Sequence, residues 1–287
     1  MFAAVLDYYE LSKPRIIVLL LITTLAAMVM AARGLPPPAL LGWTMLAGAL
    51  AAASAGAFNC IYDRDIDALM TRTKARPLPA GRIGVRDATI YATLCGIVSF
   101  AIFYWLVNPL AAWLSLAGNV YYVLVYTMWL KRLTPLNIVI GGAAGSVPPL
   151  VGWAAVTHAI GSPALGLFAL IFLWTPPHFW SLALSIETDY AKARIPMLPN
   201  ASGEERTKRE IVYYTVLLIA ASLALYPLHV MGAFYLAGAV VLGGIFLVDA
   251  LRTWRDSTKR AARVLFRYSL LYLALMCALM VVDRIIV

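Results

Sequence analysis

The chain alternates long apolar stretches with short polar connections. Nine stretches approach the roughly 20 residues that a helical crossing of a bilayer requires: residues 16–32, 39–62, 88–107, 110–130, 137–157, 164–186, 211–230, 233–251 and 264–282. The pattern predicts an all-α polytopic membrane protein, with about nine transmembrane helices around a central cavity open to the cytoplasmic side. Residues 1–287 are expected to form a single integral membrane domain. Connections on the predicted outer face, at 107–109, 157–163 and 228–232, are short and nearly uncharged. Two on the inner face, 63–87 and 187–210, are long and polar, and each follows a span that ends in acidic residues. They lie four crossings apart, so both open on the same side. This hints at a duplicated four-helix unit, although the halves are too dissimilar to form a sequence repeat.

Composition agrees with the pattern. The chain is 62% hydrophobic and 13% charged, whereas soluble domains lie nearer half apolar and a quarter charged. A formal charge of +9 raises the question of nucleic-acid binding. Placing the basic residues against the spans answers it. With a cytoplasmic N-terminus, 21 of the 23 fall inside and only Arg33 and Arg284 fall outside, which is the bias of membrane topology. The expected partner is therefore a lipid bilayer and no nucleic acid. Cys60, Cys95 and Cys277 form no CxxC motif and read as packing residues. The N-terminal segment carries Asp7 and Glu10 and no small-residue cleavage site, so the first span is expected to be retained. A bacterial inner membrane is the expected location.

Candidate chemistry gathers at the inner face. At about 100° per residue, Asn59, Asp63 and Asp67 form one stripe while Asp65 points away. Two carboxylates one turn apart repel each other at a membrane boundary. A hard cation such as Mg2+ would relieve that cost, and Asn59 would add a neutral oxygen ligand. A solvated helix end stays open as the alternative for this stripe alone. Arg72, Lys74 and Arg76 follow within two turns, Lys131 and Arg132 close the fourth span, and Lys13 and Arg15 precede the first. Their convergence on the carboxylates suits a diphosphate.

A second acidic group, Glu187 and Asp189, ends the sixth span, and helical counting places His178 on the Asp189 face, about 16 Å deeper at about 1.5 Å per residue. Substrate contact and a hydrogen bond to backbone loosened by Pro176 and Pro177 are both open for His178. Gly141, Gly142 and Gly145 suit close helix packing, and Pro148 and Pro149 suit a break or kink. Trp105, Tyr121, Tyr122, Tyr126, Trp129, Trp153, Trp174, Phe179 and Trp180 lie in spans three to six, where packing or interfacial anchoring accounts for most and a few could shield a cation.

Four segments carry a family resemblance: SKPRI at 12–16, NCIYDRDIDALMTRTKARPLPAG at 59–81, LKRLTPLNIVIGGAAGSVPPLVGWAAVT at 130–157, and FLWTPPHFWSLALSIETDYAKARIPMLP at 172–199. They resemble, in order, the membrane-embedded prenyltransferases that make ubiquinone-type lipids, and within these the heme O synthases. The resemblance implies transfer of a farnesyl group from farnesyl diphosphate to a vinyl group of heme B. It also implies Mg2+ held by Asn59, Asp63, Asp67 and Asp189, and diphosphate contacts from Arg15, Arg72, Lys74, Arg76 and Lys131. His178 would orient the heme through its iron or a propionate, or accept a proton. A heme A synthase or a terminal oxidase assembly partner is the implied recipient. Two departures stand out. The position four before Asp189 is Ser185, which leaves the second acidic motif reduced, and Arg194 stands where such sequences often have Gly. Two other activities fit parts of the pattern: prenyl transfer to a quinone precursor such as 4-hydroxybenzoate, and secondary transport. The TPPHFW and PRI segments argue against the first, and acidic residues at a mouth instead of the midplane argue against the second.

Overall fold

The computed structural model describes residues 2–256 and 258–286, and all regular structure among them is helical. A short helix α1 (Phe2–Leu11) precedes α2 (Pro14–Ala32), and Lys13 between them takes a left-handed conformation at φ 57°. The chain then forms α3 (Pro38–Tyr62), a short α4 (Arg64–Leu69) and α5 (Val85–Ile102), which continues as a π-helix over Phe103–Val107. Next comes α6 (Pro109–Val120), which continues as a π-helix over Tyr121–Trp129 and closes in a 3-10 turn at Leu130–Arg132. It is followed by α7 (Asn137–Thr157), α8 (Ser162–Ser185), and the short α9 (Glu187–Lys192) and α10 (Leu198–Ser202). Three long helices complete it: α11 (Glu204–Ala224), α12 (Ala233–Arg255) and α13 (Arg260–Ile286).

Eight of these segments are long and apolar enough to cross a membrane, so the protein is a multi-pass membrane protein. The ninth expected span departs from the reading. Residues 211–230 do not form one helix, because α11 starts at Glu204 and stops at Ala224. Its first turns carry Glu204, Glu205, Arg206, Lys208, Arg209 and Glu210, so it lacks the uniform apolar length of the other eight. The two leading glutamates suit the positive end of a helix. Downstream, Pro227 lacks an N–H and disfavours helix at Tyr226 before it, and the chain turns there.

Helices α2, α3, α6, α7, α8 and α13 surround a central cavity. Outside them α5 packs on α3, α11 on α8, and α12 on α11 and α13. Large apolar side chains such as Leu19, Ile97, Trp113, Val241 and Leu271 remain exposed, as expected of faces that meet lipid. The interior is held by packing and by polar links that satisfy the backbone. Asn108 caps α6 by accepting from the Ala111 N–H at 2.9 Å, with Pro109 at the first helical position. Ser99 donates to the Ala47 carbonyl at 2.7 Å, tying α5 to α3. The cysteines are buried and unpaired, as packing residues should be.

On the face remote from the acidic stripe, Asp283 of α13 is buried and accepts from the N–H groups of Gly232 at 2.6 Å and Tyr235 at 3.0 Å. It thereby caps α12 from a different helix, where the dipole favours negative charge. Asp283→Ala leaves both donors unpaired and is expected to cost about 1–3 kcal/mol. Thermal unfolding in detergent should read this as a lowered midpoint.

Candidate active site

The stripe of Asn59, Asp63 and Asp67 survives folding although α3 ends at Tyr62. The Asp63 N–H bonds the Asn59 carbonyl at 2.9 Å and the Asp67 N–H bonds the Asp63 carbonyl at 2.8 Å. Helical spacing therefore carries across the α3–α4 junction. The three side chains are only 3%, 1% and 1% exposed, which rules out a solvated helix end.

Each of the three side chains meets a cation from a different part of the chain. The Lys13 ammonium donates to Asn59 Oδ1, Lys131 donates to Asp63 Oδ2, and Arg76 Nη1 donates to Asp67 Oδ2 at 2.7 Å. The Asn59 amide nitrogen donates to Asp63 Oδ2 at 2.9 Å and to Thr127 Oγ1 at 3.0 Å. Asp63 Oδ1 is buried and has no hydrogen-bond partner, with the Arg132 guanidinium 3.8 Å away. The two carboxylates and the amide thus carry three contacting cations, and the local charge is positive.

Local backbone features aim these groups. The left-handed turn at Lys13 separates α1 from α2. The i→i+5 bonding of the π-helical end of α6 re-aims its side chains, so that Thr127 reaches Asn59 from it and Lys131 reaches Asp63 from the 3-10 turn that follows. After α4 the chain reverses. Thr73 donates to the Asp67 carbonyl at 2.9 Å, which brings Arg76 back over Asp67. Burial opposes the charge of Arg76, but the Asp67 carboxylate, with smaller contributions from Cys60 and Asp63, leaves the guanidinium above its ordinary value.

The second acidic group splits. Asp189 accepts from the Thr71 and Arg72 N–H groups, both at 3.4 Å, and burial is outweighed by these bonds, so its carboxyl is held below the usual range. Ile66, Met70 and Ile138 pack with Tyr190, Ile195 and Met197 alongside, joining the two polar loops. Glu187 is drawn away, pairing with Lys259 at 2.7 Å.

Behind the stripe lies the cavity, of about 430 Å³. Lys13 belongs to both, and the walls deeper in include Tyr122, Tyr126, Trp174, Thr175 and His178. The Tyr122 and Tyr126 rings lie 5.4 Å apart. Gly141 makes room for Tyr126, since a Cβ there would lie 2.2 Å from its ring.

Known proteins are similar to this chain in sequence and in the arrangement of their helices. The model of the UbiA prenyltransferase family matches residues 20–275. The chain belongs to the UbiA prenyltransferase family. A relative from Synechocystis sp., named protoheme IX farnesyltransferase, is 56% identical over 279 residues, covering 96% of this chain and 88% of the relative. Among solved structures, a digeranylgeranylglyceryl phosphate synthase superposes with a TM-score of 0.82 at 18% identity, covering 99% of this chain and all of the other. A UbiA homolog from Archaeoglobus fulgidus, bound to GPP and Mg2+, superposes with a TM-score of 0.64 at 20% identity over 96% of this chain and 99% of its own. At these identities the structural likeness speaks for the fold.

In this UbiA-family chain the candidate residues fall into two groups. Asn59, Asp63, Asp67, Arg76 and Lys131 converge. Arg15, Arg72 and Lys74 are exposed and make no ion pair among the described residues, although the Arg72 backbone holds Asp189. His178 does not share a face with Asp189, because α8 ends at Ser185 and Ile186 turns the chain before α9. Asp189 points toward the 71–72 segment instead. Sequence reading underweighted Lys13 and missed Thr127 and Ser269. Lys13 was detectable as the residue before Pro14, where helix is disfavoured and a turn can redirect the side chain. Thr127 and Ser269 carry no local signal.

Proposed function

We propose that this UbiA-family protein transfers the farnesyl group of farnesyl diphosphate to a vinyl group of heme B, with addition of water, giving heme O and diphosphate. The Synechocystis relative's name supports the chemistry. The observation on this chain that carries the reading is the positive cluster on a buried oxygen stripe at the mouth of an apolar cavity.

The stripe fits a hard divalent cation. Asn59 Oδ1, Asp63 and Asp67 offer only oxygen ligands, and Asp63 Oδ1 is an orphaned buried lone-pair donor. Mg2+ bound there would neutralise charge on the diphosphate, as the Archaeoglobus homolog's ligands suggest by analogy. The flexible stems of Lys13 and Lys131 let their ammonium groups move from the Asn59 amide oxygen and the Asp63 carboxylate to phosphate oxygens, while Arg76 presents a planar fork of donors. Together they stabilise charge developing on the leaving group as the allylic carbon–oxygen bond breaks. The electron pair leaves with the diphosphate. The farnesyl carbon meets the vinyl group in the cavity, where the aromatic faces of Tyr122 and Tyr126 favour cationic character. Water captures the resulting heme-side cation and loses one proton to leave a hydroxyl group. Asp189 serves through the loop that carries Arg72, and Arg15, Arg72 and Lys74 form an outer basic rim that attracts the diphosphate. The basic mouth faces the cytoplasm of a bacterial inner membrane in this reading, which places the N-terminus inside and hands heme O to a heme A synthase or an oxidase assembly factor.

The test incubates purified protein in detergent with heme B, farnesyl diphosphate and magnesium, and follows heme O by mass spectrometry. Chelation by EDTA is expected to reduce formation to background, and added magnesium to restore it. Prenylation of 4-hydroxybenzoate in place of heme would reassign the acceptor.

A further inference from the structure

His178 is half-buried on α8 and lines the cavity. Ser185, the last residue of α8, lies seven residues further on, so His178 sits about 10 Å in from the polar face at about 1.5 Å per residue. Its ring is held between Trp174, at 4.1 Å between centroids and 15° between planes, and Phe266, at 4.9 Å and 25°. The Trp174 indole N–H is itself tied to the Ser269 carbonyl at 2.8 Å. This stack fixes the plane of the imidazole.

Hydrogen bonding fixes its proton. His178 Nδ1 lies 2.6 Å from Ser269 Oγ, and Ser269 Oγ donates to the Phe266 carbonyl at 2.7 Å. A carbonyl oxygen has no proton to give, so the single hydroxyl proton of Ser269 is committed to Phe266. Toward His178, Ser269 Oγ can only accept, and Nδ1 carries the ring proton. In the neutral ring Nε2 then presents a bare lone pair. Nε2 has no hydrogen-bond partner among the described residues, and no carboxylate bonds the ring.

An imidazole whose Nδ1–H is held by a neighbour while Nε2 is bare has the arrangement of a metal-ligating histidine. The same arrangement disfavours a heme propionate at Nε2, because two lone pairs would meet with no proton between them. We infer that His178 Nε2 is an axial ligand of the heme iron, with Ser269 as its positioning residue, and that this bond sets how the porphyrin lies in the cavity. The inference rests on the heme-acceptor reading above.

Absorption and resonance Raman spectra of the purified protein loaded with heme B test it. The wild type should show an iron–histidine stretching band in the ferrous form. His178→Ala should lose that band and regain it when imidazole is added. Ser269→Ala should weaken heme binding about 10- to 100-fold and lower the band's frequency, since Nδ1–H loses its acceptor. Ser269→Thr, which keeps the hydroxyl, should restore both. Magnesium-dependent binding of farnesyl diphosphate should persist in all three variants and show that the fold is intact. Heme O formation by wild-type protein whose heme spectrum ignores His178→Ala would overturn the ligand and leave the transferase standing. A wild-type protein that binds no heme would overturn both.

Discussion

Asp63→Ala is expected to lower heme O formation by about 10²- to 10³-fold or more, the scale at which a group stabilising transition-state charge acts. Asp63 is the centre of the stripe. One of its oxygens is shared by Lys131 and the Asn59 amide, and the other is buried without a partner. Truncation would remove a proposed metal ligand and leave Lys131 with no carboxylate to hold it in place. Because breaking a buried ion pair also destabilises, Asp63→Asn provides the companion test: it keeps the volume and removes the charge. Both variants should lose activity, and the thermal midpoint of the second, whose amide oxygen can still accept from Lys131, should fall less than that of the first. Asp65→Asn is the control. Asp65 is 61% exposed at its side chain and touches the stripe only through Arg132, which lies 3.8 Å from Asp63, so turnover should stay within a few-fold. Wild-type activity in Asp63→Asn, measured at saturating magnesium, would remove the stripe from the mechanism.

The largest loss of stability is expected from Gly152→Ala. Here α7 crosses α2 so closely that a Cβ would lie 2.3 Å from the Thr24 carbonyl oxygen and 3.1 Å from its carbon. Backbone cannot swing aside as a side chain can, so the two helices must separate. Overpacking of this kind costs about 1–3 kcal/mol, sometimes more, and without a hydrophobic drive between helices in lipid, small-residue contacts contribute much of their association. Both helices wall the cavity, so heme affinity should fall along with the melting temperature. Gly42→Ala, with nothing within 4 Å of the added carbon, should be neutral or slightly stabilising. Equal melting of the two variants would contradict the close crossing.

Much of the architecture could be read from run length and spacing, because the bilayer imposes a long apolar helix on each crossing. The segment 137–157 coincides with α7 to the residue, and seven of the others agree apart from shifts at their ends. Reading failed where charge and apolar length disagreed: α11 begins in charged residues that a hydropathy criterion trims away. The four-residue spacing of Asn59, Asp63 and Asp67 held because the hydrogen bonds run on through the junction. The same counting failed for His178 and Asp189, because Ile186 interrupts the helix between them. Contacts such as His178 with Ser269, 91 positions apart, arise from packing of α8 on α13 and leave no periodic trace. Choosing Lys13 over Arg15 needed the turn that Pro14 imposes on the residue before it, a signal that residue spacing alone does not carry.

The joining of the two polar loops has a kinetic meaning. Asp189 grips the backbone at residues 71 and 72 while Tyr190, Ile195 and Met197 pack on Ile66 and Met70. Neither loop can swing outward without stripping the other of its carboxylate bonds and apolar cover, so they open as one cooperative unit. Arg76, held on Asp67 by one loop, is thereby coupled to a segment more than a hundred residues further along the chain. Local opening that frees Arg76 is therefore expected to expose the 189–197 segment with it, which hydrogen exchange would read as matching protection in residues 71–76 and 189–197.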